Sequence, residues 1–135
     1  MALYGPEHVE RYRATDGVEG HDWQGTQTLL LTTTGRRSGE PRTTPLIYGV
    51  EGDSLLVVAS KGGSDEPPAW YLNLSDDPEV EVQVKGDVFA AIAHDATGDE
   101  KTRLWSLMTE IWPNYDAYQE RTDRDIPLVV LTPKS

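Results

Sequence analysis

The sequence predicts a mainly β fold, in which an antiparallel, barrel-like sheet carries flanking helices. Six segments are rich in β-branched and apolar residues, and glycine- or proline-rich turns separate most of them. The helical patterns are short and scattered between these segments, so a regular strand–helix–strand array is not favoured. A length of 135 residues is the size of one domain.

The first predicted strand follows a polar lead-in of residues 1–25, which contains a short helical pattern over Pro6–Arg13. From Thr26 the chain becomes rich in leucine and threonine, and a strand is predicted to run to Thr34. The stretch Gly35–Pro41, bounded by two glycines and a proline, predicts a turn. A second strand is predicted over Arg42–Val50.

The middle of the chain predicts three further strands and a helix. Ser54–Ser60 is apolar without alternation, so both faces of this strand are expected to be covered. A helix is predicted from Ala69, after two prolines, and must end before Pro78. Valine and polar residues alternate over Glu79–Lys85, which predicts a half-buried strand, and Asp87–His94 is its expected hairpin partner.

The last third predicts a helix and a final strand. Thr97 and Glu100 have the spacing of a capping box, and apolar residues then recur at helical spacing as far as Trp112. Pro113 ends that helix. Tyr115–Arg124 is read as a short polar and aromatic segment, and Pro127–Thr132 as the sixth strand.

Composition excludes several classes of function. A formal charge of −11 argues against general binding to nucleic acids or anionic membranes, which both need Lys and Arg. The absence of cysteine excludes disulfides, thiolate metal sites and cysteine nucleophiles. The three histidines, His8, His21 and His94, lack metal-ligand spacing, so no metal is predicted. No apolar run approaches the length of a membrane span, and a soluble, cytoplasmic protein is expected.

Positive charge is nevertheless concentrated in one turn. Between Gln24 and Val50 the only acidic residue is Glu40, against Arg36, Arg37 and Arg42. Either an anionic ligand binds there or the turn is a solvated hairpin tip, and charge alone leaves both open. The backbone N–H groups, hydroxyl and guanidiniums of Gly35–Gly39 suit phosphate oxygens, as do those of Ser60–Gly63.

Aromatic residues add candidate walls for a flat ring. Core packing is the commoner role for Trp70 and Trp112, whereas Tyr115 and Tyr118 follow Pro113 on a polar segment and are expected to line a pocket rather than the core. A hydrolase triad of Ser60, His94 and Asp95 lacks the nucleophile-elbow motif. The glycine-rich nucleotide fingerprints are also absent.

Several motifs together resemble the deazaflavin (F420)-dependent nitroreductase and quinone reductase family. They include LLTTTGRRSG at 30–39, VASKGG at 58–63, WYLNL at 70–74 and WPNYDAYQ at 112–119. The resemblance spans about Thr28 to Thr132 with its motifs in order. It implies a split β-barrel like that of FMN-binding reductases, formed by residues 26–135, and an oxidoreductase that transfers hydride from reduced coenzyme F420 to quinones, nitroaromatics or activated enones.

The resemblance also implies roles for individual residues. The cofactor's phosphate and acidic tail would meet the basic turn, and its ring would lie against the second motif and the following helix. The implied cofactor-binding residues are Arg36, Arg37, Ser38, Gly39, Arg42, Pro45, Leu46, Ala59, Ser60, Lys61, Gly62, Gly63, Trp70, Tyr71 and Asn73. Trp112, Tyr115 and Tyr118 would face the substrate, and Tyr115 or Ser60 would donate the proton.

Two alternatives stay open at this stage. The same barrel could use FMN as its cofactor, or the protein could bind F420 without catalysing a reaction. The substrate is expected to be a small molecule with no nucleic acid or stably inserted membrane partner. Peripheral association with a membrane is left open for quinone reduction.

Overall fold

The computed structural model describes residues 5–134, which form four helices and eight strands. The helices are α1 (Gly5–Ala14), α2 (Ala69–Asp76), α3 (Gly98–Ile111) and α4 (Asn114–Glu120). The strands are β1 (Asp22–Trp23), β2 (Thr26–Thr34), β3 (Pro41–Ile47), β4 (Gly49–Glu51), β5 (Ser54–Val58), β6 (Glu79–Val84), β7 (Asp87–Asp95) and β8 (Leu128–Pro133). A short 3-10 turn covers Lys61–Gly63.

All strand pairs in the sheet are antiparallel, which confirms the predicted mainly β fold with flanking helices. The order across the sheet is β1-β2-β6-β7-β8-β5-β4, and β3 pairs with β2. Thr28 of β2 lies opposite Ile47 of β3, and Thr33 lies opposite Arg42. The β6–β7 hairpin pairs as predicted, from Glu79 opposite Ile92 to Val84 opposite Asp87.

The predicted strand Arg42–Val50 is wrong in one respect, because the chain breaks at Tyr48 into β3 and β4. β3 pairs with β2, whereas β4 pairs with β5 at the opposite end of the strand order. The chain therefore passes from one sheet edge to the other at Tyr48, and this corner curves the sheet into a half-barrel. Sequence patterning shows a strand but not a change of pairing partner.

Three further predictions needed correction. The two-residue strand β1 was missed because it is too short to show periodicity. The segment Tyr115–Arg124 contains a helix, α4, over Asn114–Glu120. Thr97 does precede helix α3, but its side chain makes no capping hydrogen bond, so the predicted capping box does not form.

The apolar residues form two main clusters on either side of the sheet. One fills the barrel interior and includes Leu29, Leu31, Val57 and Leu131. The other lies beneath α3 and α4 and includes Met108. Leu55 and Val57 of β5 face the first cluster, whereas Leu56 and Val58 face the second. Both faces of this strand are therefore covered, as its continuous apolar sequence predicted.

Helix α1 is tied to the sheet by Tyr12, whose side chain is fully buried. Its hydroxyl donates a hydrogen bond to the Thr28 carbonyl oxygen at 3.0 Å and accepts one from the Lys85 backbone N–H at 2.8 Å. Val9 and Leu30 complete a small apolar cluster with it. The helix is thus fixed against β2 and beside the cavity described below.

Gly49 sits at the corner where helix α3 crosses β4. A Cβ atom at this position would lie 2.6 Å from Met108 Sδ and 3.0 Å from Leu107 Cδ2. We expect Gly49→Val to lower the free energy of unfolding by about 1–3 kcal/mol, because the added atoms must displace the packed helix. Urea denaturation measures the change.

The neighbouring position provides the control for this substitution. Val50 is 52% exposed, so Val50→Ala should cost less than about 1 kcal/mol. A Gly49→Val protein as stable as the wild type would show that α3 does not restrict this corner.

Candidate functional site

A cavity of about 460 Å³, here called the central cavity, opens between β3, the loop after β5 and helix α4. Thr44–Ile47 of β3 form one wall, and Ser60, Lys61 and Gly62 of the loop form another. The remaining lining comes from six elements and from two residues that flank helices, and it comprises Gly5, His8, Trp23, Thr28, Val58, Pro68, Trp70, Trp112, Tyr115 and Tyr118. Its size and largely apolar lining are typical of a site for one flat organic molecule.

Four aromatic residues that the sequence singled out line this cavity together. Trp70 is buried and belongs to the barrel core, so it packs in the core and lines the cavity at the same time. The rings of Tyr115 and Tyr118 meet edge to face with centroids 6.2 Å apart. Trp112 Nε1 donates a long hydrogen bond of 3.4 Å to the Tyr118 hydroxyl. These contacts fix the wall's shape.

Tyr115 is more deeply placed than its polar sequence neighbourhood indicated. Its side chain is 5% exposed and packs in the apolar cluster beneath α3, which corrects the expectation that it would lie outside the core. The reason is that α4 turns this one face of the segment inward. Burial, reinforced by the nearby Tyr118, raises the pKa of the Tyr115 hydroxyl well above its usual range.

The loop that forms the second wall is held by Arg124, which lies just before β8. Its guanidinium donates to the carbonyl oxygens of Ser64 at 2.7 Å, Ser60 at 2.9 Å and Ala59 at 3.3 Å. Sequence reasoning missed Arg124, because an arginine that binds backbone carbonyls more than fifty residues away leaves no local pattern.

Close backbone packing also fixes this loop. Gly63 has a positive φ of 85°, and a Cβ atom there would lie 2.7 Å from the Tyr118 carbonyl oxygen. Only glycine lets the loop approach helix α4 this closely. Arg121 adds a hydrogen bond to the Gly62 carbonyl oxygen at 3.2 Å.

A second, smaller pocket of about 270 Å³ lies at the basic turn, and we call it the basic pocket. Its lining comprises Gly35, Arg36, Arg37, Ser38, Arg42, Thr44, Ala69, Trp70 and Asn73. Thr44 and Trp70 line both pockets, so the two spaces adjoin. Sequence analysis treated the basic turn and the aromatic residues as separate features, and the fold brings them side by side.

Asn73 holds the basic turn in place. Its side-chain oxygen accepts hydrogen bonds from the Arg36 backbone N–H at 3.2 Å and from the Arg36 guanidinium at 2.9 Å. Its amide nitrogen donates to Thr33 Oγ1 at 3.2 Å. This buried residue therefore organises the basic pocket as well as lining it.

Two cations beside these pockets are unpaired. Within residues 5–134, the side chains of Arg37 and Lys61 have no ion-pair or hydrogen-bond partner. Arg42 has only a distant carboxylate, Glu40, at 4.0 Å. Unpaired positive charge in a protein of charge −11 favours an anionic ligand over a solvated tip.

Four of the expected cofactor-binding residues lie outside both pockets. Ala59 is fully buried in the barrel core, because side chains alternate along the strand and its neighbours Val58 and Ser60 face the cavity. Gly63 faces α4, and Gly39 lies beyond the basic pocket. Tyr71 points away, and its hydroxyl donates to Asp95 Oδ2 at 2.6 Å. Roles in binding a cofactor stay predictions for these four and for the expected residues that do line the pockets.

The cavity also includes residues from the lead-in, which sequence reasoning left without a role. His8 of α1 and Trp23 of β1 line it, and the ring centroid of Trp23 lies 6.2 Å from that of Trp112. Because the lead-in shows no clear periodicity, its sequence did not indicate that this tryptophan and this histidine belong to a site. Only the packing of α1 and β1 against the sheet brings them to the site.

The alternative chemistries find no support in the side-chain arrangement. Across residues 5–134, no hydrogen bond joins Ser60 and His94, and His94 Nε2 lies 3.7 Å from Glu100 Oε1 instead. Asp95 accepts the hydrogen bond of Tyr71. The described part of the chain holds no group of three residues able to bind a metal ion, and none of its helices is both long and apolar enough to cross a bilayer.

Comparison with known proteins agrees with this geometry. A sequence model of the F420H(2)-dependent quinone reductase family matches residues 5–133. The chain is 45% identical over 132 residues to an F420H(2)-dependent quinone reductase of Mycobacterium tuberculosis H37Rv, covering 93% of this chain and 87% of that protein.

Two solved structures share the fold. An F420-H2 dependent reductase superposes with a TM-score of 0.72 and 39% identity, covering 77% of this chain and 92% of the other. A chain described as a domain-swapped dimer superposes with a TM-score of 0.76 and 38% identity, covering 93% and 94%. The split-barrel fold predicted from the sequence is thereby confirmed.

The buried tyrosines predict how stability depends on pH. Burial raises the pKa of Tyr12, Tyr48, Tyr71 and Tyr115 above the usual value of about 10. Above pH 10 the unfolded chain loses these protons while the folded chain keeps them, so the free energy of unfolding should fall as pH rises further. Urea denaturation at pH 8, 10 and 11 should show this fall, and Tyr115→Phe should make it shallower. Parallel curves for the two proteins would contradict the assignment to Tyr115.

Proposed function

The chain belongs to the F420H(2)-dependent quinone reductase family, and from this premise we propose how its two adjoining pockets hold the cofactor and the acceptor. The protein is an oxidoreductase whose hydride donor is reduced coenzyme F420 and whose substrate is a small molecule. The observation that carries the proposal is the junction of an aromatic cavity with a pocket of unpaired cations.

The residues fit the cofactor in shape and in charge. The deazaflavin ring is flat, and the lining of the central cavity includes Trp70, Pro45 and Leu46. Gly62 also lines the cavity, and a Cβ atom at this residue would meet no atom within 4 Å, so open space remains above the loop. Because Thr44 and Trp70 border both pockets, a ring in the cavity can extend its anionic tail into the basic pocket.

The basic turn would bind the cofactor's phosphate and acidic tail. Arg36 is oriented by Asn73, whereas Arg37 is free to meet an anion. Ser38 and Arg42 line the same pocket and add a hydroxyl and a guanidinium. Charge-assisted hydrogen bonds of this kind are the stronger class in proteins. Lys61 would provide a further cation beside the ring.

Ser60 and Tyr115 would act on the substrate side. The cofactor supplies hydride when bound, and negative charge then grows on an oxygen of the acceptor. Because burial keeps the Tyr115 hydroxyl protonated, it can donate a hydrogen bond to that oxygen while retaining its own proton. The Ser60 side chain lines the same cavity and could donate a second hydrogen bond. Trp112 and Tyr118 would bound the acceptor's ring.

The first test measures cofactor binding. We expect Arg37→Ala to weaken the affinity for F420 about tenfold or more, and Arg36→Ala with Arg37→Ala to weaken it further, since each charge-assisted contact is worth roughly 1.5–3 kcal/mol. Quenching of F420 fluorescence gives the dissociation constants, and FMN serves as the competing cofactor.

Arg103→Ala is the matched control, because Arg103 is an exposed arginine paired with Glu51 away from both pockets. Affinity for F420 should also fall as salt is raised, because exposed charge pairs are screened. An Arg37→Ala protein with unchanged affinity would place the tail elsewhere, and tighter binding of FMN than of F420 would overturn the proposed site.

The second test measures catalysis with menadione, nitroaromatics and unsaturated lactones as acceptors. Tyr115→Phe keeps the ring and removes only the hydroxyl, so F420 affinity should stay within about twofold. Turnover should fall by about 10²–10³-fold, the usual cost of losing one donor to a developing oxyanion. A loss of only a few-fold would reduce Tyr115 to a packing residue, and a loss of F420 affinity would move it to the cofactor side.

A further inference from the structure

We propose that His8 binds an oxygen of the acceptor and supplies the proton that its reduction requires. The identity of the acceptor rests on the proposed function above, but the observations concern the imidazole itself. Helix α1 places this ring at the central cavity, where its side chain is 97% buried and lies beside Thr28. Because the histidine is so deeply buried, the question is which of its two ring nitrogens is free to bind a ligand.

The hydrogen bonds of the ring determine where its protons lie. His8 Nε2 is 2.8 Å from the Gly20 carbonyl oxygen, which can only accept, so Nε2 carries a proton. Thr28 Oγ1 donates to the same carbonyl at 2.5 Å and lies 3.3 Å from Nε2. In the neutral ring the other nitrogen, Nδ1, is therefore the basic one. A second proton can be gained or lost only at Nδ1.

The second ring nitrogen, Nδ1, is left without a partner in the described protein. It has no hydrogen-bond partner within residues 5–134, and that part of the chain contains no sealed side-chain nitrogen or oxygen without a partner. Nδ1 is therefore not sealed within the protein, and His8 lines the central cavity.

The other buried histidine shows the contrast. Both ring nitrogens of His21 have partners, with Nδ1 3.0 Å from Asp22 Oδ1 and Nε2 2.9 Å from the Tyr48 hydroxyl. That ring holds the barrel corner together. His8 has one nitrogen anchored and one available, which is the arrangement of a residue that positions a ligand.

Strand register places His8 at the end of the cavity that lies away from the basic turn. Its neighbour Thr28 lies opposite Ile47, whereas Arg42 lies opposite Thr33 at the other end of the same ladder. Ile47 lies five positions along the strand from Arg42, a distance of roughly 16 Å. If the anionic tail of the cofactor occupies the basic pocket, the His8 end is left for the acceptor.

The charged and titratable neighbours of His8 offer Nδ1 no partner of their own. Besides His8, the described residues that line the cavity include the ionisable side chains of Lys61, Tyr115 and Tyr118, and none is a carboxylate. On α1 itself the neighbours are Tyr12, 6.3 Å away between ring centroids, and Arg11, which pairs with Glu19. The Nδ1–H of a protonated ring is thus available to a bound oxygen.

The chemical step balances with the family's reaction. A quinone gains two electrons and two protons in becoming a hydroquinone, and the donor's hydride brings both electrons and one of the protons. The Nδ1–H bond of protonated His8 breaks, its electron pair stays on the ring, and an O–H bond forms on the acceptor. The ring is left neutral with its proton on Nε2, held by Gly20, and water restores the proton on Nδ1.

The decisive variant is His8→Gln. A glutamine amide can keep the N–H bond to the Gly20 carbonyl but offers no group equivalent to Nδ1. We expect this protein to unfold at the wild-type temperature within a few degrees and to bind F420 within about twofold. Its turnover with menadione should fall by about 10²-fold, the lower end for a positioned proton donor. The control is His94→Gln, an exposed histidine on β7, which should leave turnover unchanged.

A second measurement does not depend on turnover. In protein labelled with ¹⁵N-histidine and carrying oxidised F420, long-range ¹H–¹⁵N spectra report each ring nitrogen, and His8→Gln identifies the His8 signals. Adding menadione should shift His8 Nδ1 more than Nε2 and leave both nitrogens of His94 unmoved.

The outcomes separate the two proposals. If His8→Gln turns over menadione within about threefold of the wild type, or if menadione leaves His8 Nδ1 unmoved, the role of His8 is overturned. A wild-type protein that fails to bind F420 or to reduce any acceptor overturns the proposed function instead. Menadione added to the cofactor-free protein then still decides whether His8 binds the acceptor.

Discussion

The structure depends on one corner, where the chain leaves β3 at Tyr48 and enters β4 on the opposite edge of the sheet. The hydrogen bond between His21 Nε2 and the Tyr48 hydroxyl and the close packing of α3 on Gly49 hold this corner. Because the corner curves the sheet, β3 becomes the wall of a cavity instead of a solvent-exposed edge. The loop after β5 is thereby brought opposite β3.

The two cavity walls are then fixed by contacts between distant parts of the chain. Arg124 binds three carbonyl oxygens of the loop, and Asn73 binds both the backbone and the guanidinium of Arg36. These hydrogen bonds order the binding groups before a ligand arrives, which lowers the entropy cost of binding. The shape of the two pockets is therefore set by the fold itself.

The two adjoining pockets differ in charge and in burial. Unpaired cations surround the basic pocket, and the aromatic cavity continues from it past Trp70 toward α1. Burial keeps the Tyr115 hydroxyl protonated, so we assign it a hydrogen bond to the acceptor. Proton transfer is assigned to a different residue, His8. These separate roles follow from the local environment of each residue, because burial and neighbouring charges change the properties that a side chain has in water.

The sequence by itself determined the mainly β fold, most strand positions, the basic turn and the family motifs. These features depend on local periodicity, turn residues and short runs of residue types, all of which can be read along the chain. Tertiary structure alone decided the break at Tyr48, the burial of Tyr115, and the entry of His8 and Trp23 into the cavity. Each of these depends on which element packs against which. A change of strand partner or the inward face of a seven-residue helix leaves no periodic pattern, so only long-range packing can reveal it.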